Sequence, residues 1–270
     1  MNASPLDQNA PLNRSLQLYV FFAGIFMTVL VITNIIGTKL FVFMPDSFPQ
    51  GFFGSPFVLT TGILTYPVTF WLTDIVSEIW GRRHANVMVY FGFFASILML
   101  VILSAAKAVP PASIWTIPPD FAPFFNADYY ITGTAGQISA VDSDAAQAAF
   151  EFTFFAPGIL LFASMLAYLV AQLIDVYLFH FWREATNGRH LWLRNNGSTL
   201  VSQLVDTIIV SSIFLYFAFD MPFLADAPGG GSIVQIIITV YFFKMLMALA
   251  DTPFIYLGVW LIQKFLNRLP

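Results

Sequence analysis

The stretch Ala85–Ala106 reads ANVMVYFGFFASILMLVILSAA and contains no charged side chain. It begins just after Arg82 and Arg83 and ends just before Lys107. A helix needs about 20 apolar residues to cross a hydrocarbon core of about 30 Å. The stretch therefore predicts a transmembrane helix.

Five further stretches are long and apolar enough for the same interpretation: Leu16–Ile36, Phe57–Trp80, Phe152–Phe181, Ser198–Phe219 and Ile233–Ile262. The predicted fold class is an all-α polytopic membrane protein with six transmembrane helices. We expect residues 16–262 to form a single transmembrane domain between tails at 1–15 and 263–270. The first stretch is too long for a signal peptide and follows no cluster of positive charge, so we interpret it as a transmembrane helix.

Composition supports this class and excludes others. The chain is 58% hydrophobic and only 10% charged, against about 25% charged in an average soluble domain. A net charge of -4 and the lack of a long basic cluster argue against nucleic acid as a partner. Without cysteine there are no disulfides or thiolate metal sites, and the three histidines lie far apart. We therefore predict no cofactor and no metal.

Basic residues outside the predicted spans fall mainly on one side of the membrane: Arg14, Arg82, Arg83, Arg183, Arg189, Arg194, Lys264 and Arg268. Only Lys39 and Lys107 fall on the other side. Because cytoplasmic loops retain Lys and Arg, both termini are predicted to be cytoplasmic. The long connection 107–151 is then an outer loop, and its many aromatic residues suit a lid or a passive interfacial anchor.

Six charged residues lie within the predicted spans: Asp74, Glu78, Asp175, Asp206, Lys244 and Asp251. Charges inside a bilayer cost a few kcal/mol each and usually mark a pathway or a site. Five acids cannot all be neutralised by one base. We expect Glu78 to pair with the nearby Arg82 and Arg83, and Lys244 to pair with Asp206 or Asp251.

Helical spacing gathers polar side chains on one face of four spans, since residues three or four apart are neighbours. The faces are Tyr66, Phe70, Asp74 and Glu78; Tyr168, Gln172, Asp175 and Phe179; Thr199, Gln203, Asp206 and Val210; and Tyr241, Lys244, Ala248 and Asp251. Lipid does not tolerate such faces. We expect them to meet around a cavity at the midplane and inner leaflet, where transporter sites usually lie. The glutamines have an alternative role as interhelical hydrogen bonds.

Several short motifs together resemble one family. They are Asn34-Ile-Ile-Gly-Thr-Lys39, Gly62-Ile-Leu-Thr-Tyr66-Pro67-Val-Thr-Phe70, Asp74-Ile-Val-Ser-Glu78-Ile-Trp80-Gly81, Gln172-Leu-Ile-Asp175, Trp192-Leu-Arg194-Asn195-Asn196-Gly-Ser198-Thr199, Ser202-Gln203-Leu-Val-Asp206-Thr207, and Lys244 with Thr252-Pro253-Phe-Ile-Tyr256. The chain resembles the queuosine precursor transporter family, part of the vitamin uptake transporter group. The outer loop is longer than we expect for that family.

The resemblance implies a bacterial inner-membrane importer of 7-deazaguanine bases for the tRNA modification queuosine. These bases are 7-cyano-7-deazaguanine (preQ0), 7-aminomethyl-7-deazaguanine (preQ1) and the related queuine. A guanine-like edge offers donors that the carboxylates of Asp175 and Asp206 can accept, and a flat ring needs aromatic stacking partners. The candidate substrate-binding residues are Asn34, Tyr66, Phe70, Asp74, Tyr168, Gln172, Asp175, Gln203, Asp206 and Lys244.

Other interpretations stay open at this point. No GxxxxGK[S/T] pattern is present, which favours a secondary transporter over an ATPase. A membrane subunit of an ATP-driven vitamin importer has similar size, whereas an intramembrane aspartyl hydrolase would need a GxGD-type motif. We expect at least one of Asp74, Asp175 and Asp206 to carry a proton at neutral pH when no ligand is bound, which permits proton coupling. Facilitated diffusion is the alternative. The partners are a small nucleobase and the lipid bilayer, with monomer and homodimer both open.

Overall fold

The computed structural model describes residues 14–37, 39–43, 57–134, 136–155, 158–220, 222–224 and 232–267. Its helices are α1 Arg14–Ile36, α2 Tyr66–Ile79, α3 Arg82–Ala108, α4 Ser143–Phe155, α5 Gly158–Ala185, α6 Leu191–Phe219 and α7 Ile233–Asn267. Five of these, α1, α3, α5, α6 and α7, are long and apolar enough to cross a membrane. The predicted class, an all-α polytopic membrane protein, is confirmed.

The predicted second span, Phe57–Trp80, is not one helix. Before α2 lie an antiparallel strand pair and a 3-10 turn: β1 Leu40–Phe43, β2 Phe57–Thr60 and the turn Thr61–Leu64. Proline fits best in the first turn of a helix, and Pro67 lies in the first turn of α2. The β-branched residues before it favour a strand. The 14 residues of α2 extend only about 21 Å.

The predicted fourth span, Phe152–Phe181, includes parts of two described helices. The described α4 ends at Phe155 and α5 begins at Gly158, and positions 156 and 157 lie outside the described residues. The first part of the predicted span therefore belongs to the long connection, and α5 alone is a candidate span.

Residues 109–155, which we name the cap, form a small folded unit after α3. Its elements are 3-10 turns at Pro119–Phe124 and Ala127–Tyr129, the antiparallel strands β3 Tyr130–Thr132 and β4 Ile138–Val141, and α4. Ala122, Val141 and Ala145 form a buried core. The Tyr130 hydroxyl donates to the carbonyl of Ala122 at 2.8 Å and to that of Phe125 at 3.1 Å. The cap thus has an ordered core of its own.

In the helical bundle, α2 and the turn before it run antiparallel to α1. At one end the hydroxyls of Thr33 and Thr65 are 2.6 Å apart. At the other end the Trp80 indole donates to the Ser15 hydroxyl at 3.0 Å. A buried cluster joins α1 and α2 to α3 and α5: Phe26, Leu30, Leu72, Val76, Ala85, Met88, Val89, Tyr168 and Val176.

One end of the bundle, which we name the basic end, brings together the start of α1, the α2–α3 junction and the α5–α6 turn. The Tyr19 hydroxyl donates to the carbonyl of His84 at 3.0 Å. The Arg82 guanidinium lies 5.0 Å from the centre of the Tyr177 ring. Chain segments carrying most of the predicted cytoplasmic arginines therefore meet at this end.

Candidate substrate cavity

A small cavity lies between α2, α6 and α7. Its lining residues are Ile63, Tyr66, Pro67, Phe70, Thr199, Gln203, Lys244, Met247, Ala248 and Asp251. Sites for small molecules are mostly apolar, with a few polar groups that fix the orientation of the ligand. This lining has that character.

The α2 side of the cavity is aromatic. Tyr66 and Phe70 lie one helical turn apart, with ring centroids separated by 5.1 Å. The Lys244 ammonium lies 4.5 Å from the centre of the Tyr66 ring, within the range of a cation–π interaction. Aromatic faces of this kind can stack on a flat heteroaromatic ring.

An ion pair joins α6 to α7 beside this wall. Lys244 Nζ lies 2.6 Å from Asp206 Oδ2, and the two side chains are 12% and 5% exposed. Of the two predicted partners for Lys244, the structure selects Asp206. The Tyr66 side chain also interacts with Asp206 and Gln203. Lys244 and Asp206 thus hold each other in place, and Tyr66 of α2 lies against both.

The predicted pairing of Glu78 with Arg82 and Arg83 is wrong. Glu78 accepts from Arg194 of α6 at 2.6 Å, and both side chains are largely buried. The backbone of Gly81 has a φ of 84°, which glycine adopts easily. This turn starts α3 at Arg82 and places that side chain over α5, so Glu78 is free to pair across the bundle.

A second polar cluster lies deeper in the bundle. Asp74 and Asp175 are 1% and 0% exposed, and their carboxyl groups lie close to each other. Ser202 donates to Asp175 Oδ1 at 3.0 Å. Both Asp74 oxygens and Asp175 Oδ2 lack a hydrogen-bond partner among the described residues. Neither carboxyl group lines the cavity, and we name these two residues the carboxyl pair.

A family comparison identifies the kind of protein. Residues 60–258 match the family model described as "Putative vitamin uptake transporter". The chain belongs to this family. It is also 30% identical over 199 residues, 73% of this chain and 70% of the relative, to a Bacillus subtilis (strain 168) protein named "Probable queuosine precursor transporter". No solved structure matches the chain. This member of the family is a multi-pass protein of the bacterial inner membrane.

Not every candidate residue of the transporter reaches the cavity. Tyr66, Phe70, Gln203 and Lys244 line it, and Asp206 is held by Lys244. The remaining candidates lie elsewhere in the bundle. Asp74 and Asp175 form the carboxyl pair, and Gln172, one turn before Asp175 on α5, is fully buried.

Tyr168 and Asn34 are placed among α1, α3 and α5. The Tyr168 hydroxyl donates to the carbonyl of Val89 at 3.0 Å, and its ring packs against Phe26. The Asn34 amide donates to the Ser96 hydroxyl at 3.0 Å. Both side chains therefore join neighbouring helices and do not line the cavity.

The structure adds Asp251 and Thr199 to the polar lining. Both lie on the faces that helical spacing predicts, since Asp251 follows Lys244 by two turns and Thr199 precedes Gln203 by one. Helical spacing in the sequence therefore points to both as lining residues. No comparable sequence pattern points to the apolar lining residues Ile63, Pro67 and Met247.

The pairing also shows which carboxylates of the transporter lack a cation. Among the described residues of the bundle, Lys244 holds Asp206 and Arg194 holds Glu78. Asp74, Asp175 and Asp251 form no salt bridge within that part of the chain. The described residues contain no cluster of three or more His, Cys, Asp or Glu side chains suited to a metal ion.

Proposed function

We propose that this transporter imports 7-deazaguanine precursors of queuosine: 7-cyano-7-deazaguanine, 7-aminomethyl-7-deazaguanine or queuine. The observation that carries the proposal is a cavity with an aromatic wall facing a set of hydrogen-bond acceptors that includes Asp251. The printed name of the Bacillus subtilis relative supports the substrate class.

The acceptors suit the edge of a guanine-like base. Its ring N–H and amino group are donors that one carboxylate can accept together. Asp251 is a carboxylate without a salt bridge in the described bundle. Gln203 Oε1 and Thr199 Oγ1 are buried there without hydrogen-bond partners. We propose that these three side chains bind the donor edge while Tyr66 and Phe70 stack on the ring.

A binding and uptake experiment tests this assignment. Purified protein in liposomes without ATP should take up radiolabelled 7-aminomethyl-7-deazaguanine. Asp251→Asn should weaken binding at least tenfold, because losing a charged partner for buried donors costs more than about 1 to 3 kcal/mol. The matched control is Asp220→Asn at the exposed end of α6, which should bind normally. Wild-type binding by Asp251→Asn would contradict the assignment, and uptake only with an added ATPase partner would favour an ATP-driven importer.

We also propose six membrane crossings with both termini in the cytoplasm. The turn Thr61–Leu64 and α2 together run beside the whole of α1, which supports counting them as one crossing. The gathering of arginines at the basic end supports its cytoplasmic placement. The natural chain contains no cysteine. Single cysteines at Ser113 and Glu184, both exposed, should react with impermeant reagents from opposite sides; labelling from the same side would contradict the topology.

Finally, we propose that import is coupled to protons. Buried carboxyl groups without cations support this mechanism, since a proton is the simplest way to neutralise them. An inward proton gradient should then drive uptake above equal concentrations. Uptake that stops at equal concentrations under every gradient would indicate facilitated diffusion.

A further inference from the structure

We propose that the carboxyl pair, Asp74 with Asp175, is the proton-binding site of this transporter and is separate from the cavity that holds the base. The inference rests on the proposed function and adds the place where the coupling proton binds. It assigns different carboxylates to the two ligands: the pair to the proton and Asp251 to the base.

The first support is the surroundings of the pair. Asp74 and Asp175 are buried to 99% or more, and three of their four oxygens lack a hydrogen-bond partner among the described residues. Two adjacent carboxylates repel each other when both are ionised. Binding one proton reduces the charge of the pair from two to one, and releasing it restores the repulsion.

The charged groups around the pair do not remove this repulsion. Glu78 of α2 and Asp251 of α7 both act on Asp74, and both are acidic. Lys244 and Arg194, whose side chains are only 12% and 4% exposed, each lie 2.6 Å from another carboxylate. Tyr66 of α2 also faces Asp175 but carries no positive charge. A proton is therefore the cation that the arrangement lacks.

The second support is an unpartnered hydroxyl between the two sites. Thr199 is 6% exposed, and its Oγ1 has no hydrogen-bond partner among the described residues. It lies close to Asp175 and also lines the cavity. A hydroxyl can donate to an ionised carboxylate or accept from a protonated one. Thr199 thus offers a direct physical link between the proton and the base.

The experiment separates base binding from proton coupling in the full-length protein in liposomes. With the membrane potential clamped, one pH unit across the membrane should let a one-to-one carrier accumulate 7-cyano-7-deazaguanine about tenfold, since a pH unit is a factor of ten in proton activity. Asp175→Asn and Asp74→Asn should lower this ratio to about one while binding of the base changes less than threefold. Asp251→Asn should show the opposite pattern, with binding lost first.

A second measurement uses the wild-type protein alone, in case the variants do not fold. Adding 7-cyano-7-deazaguanine to detergent-solubilised protein in weak buffer should change the pH of the solution, because base binding shifts the proton occupancy of the pair. Tenfold accumulation by both variants would overturn the inference, as would accumulation driven by a sodium gradient and not by protons. Failure of the wild type to bind any of the three bases would instead contradict the proposed function.

Discussion

Two buried ion pairs connect α6 to neighbouring helices, and they differ in their surroundings. Each has an N–O distance of 2.6 Å. At the basic end, Arg194 also donates to the carbonyl of Gly188 at 2.8 Å and lies over the ring of Phe179. At the cavity, Lys244 has Asp206 as its hydrogen-bond partner and lies over Tyr66, which itself lines the site.

The chemistry of the two cations explains the difference. A guanidinium is a rigid fork with five donors, whereas an ammonium is a point charge on a flexible stem. Arg194 can therefore tie a helix, a turn and an aromatic ring together at once. Lys244 can shift when a ligand enters the cavity beside it. Equal bond lengths thus accompany a cross-link at the basic end in one place and an ion pair beside the candidate cavity in the other.

The largest expected effect comes from breaking the pair at the basic end. Arg194→Ala leaves Glu78 buried without its partner, which costs about 3 to 5 kcal/mol in comparable buried pairs. We expect thermal unfolding in detergent to show a large loss of stability. Adding Glu78→Gln should recover part of it, and the exposed Arg189→Ala should match the wild type. Equal unfolding temperatures for Arg194→Ala and the wild type would contradict a structural role for the Arg194–Glu78 ion pair.

An intermediate effect is expected at the cavity, where function should suffer more than stability. Lys244→Met and Asp206→Asn should each weaken binding of the base at least tenfold, because each leaves a buried charged group without its partner. Both should unfold at higher temperatures than Arg194→Ala. Equilibrium binding and thermal unfolding of the same preparations measure the two effects. Wild-type affinity in both variants would remove this ion pair from the site.

The smallest effect is expected at the exposed pair between α3 and the cap. Lys107 and Glu151 are 3.0 Å apart and well exposed, and hydrogen bonds from Gln147 and Lys107 lower the pKa of Glu151. The stabilising contribution is thus present at neutral pH and lost as the pH falls through that lowered pKa. Glu151→Gln should leave thermal unfolding at pH 7 unchanged, since salt and water screen such pairs. A clear loss of stability would show that the cap depends on this contact.

The sequence predicts the long apolar helices well, because an apolar run such as Ala85–Ala106 crosses a bilayer as a helix. It fails where a helix must begin inside an apolar stretch, as at Tyr66, since hydropathy does not register the strand and turn before it. Pro67, in the first turn of α2, is the local sequence signal for this helix start.

The candidate site is predicted in part. Helical spacing places Tyr66, Phe70, Gln203 and Lys244 on faces that do meet at a cavity. It cannot give the rotation of one helix against another. Tyr168, for example, carries a polar hydroxyl but packs toward α1 and α3 and not toward the cavity. Long-range partners are equally hidden. Glu78 lies 116 residues from Arg194, and nothing local in the sequence favours that arginine over the two beside it.

The short helix α2 has a consequence for the biogenesis of the protein. It carries Asp74 and Glu78 within 14 residues, and an acidic residue near the centre of a nascent span costs about 2.5 to 3.5 kcal/mol on insertion scales. During synthesis, α2 is made long before Arg194, the residue that donates to Glu78. A chain interrupted before α6 therefore leaves Glu78 without the arginine that pairs with it. We expect such truncated chains to be the ones that membrane quality-control proteases recognise.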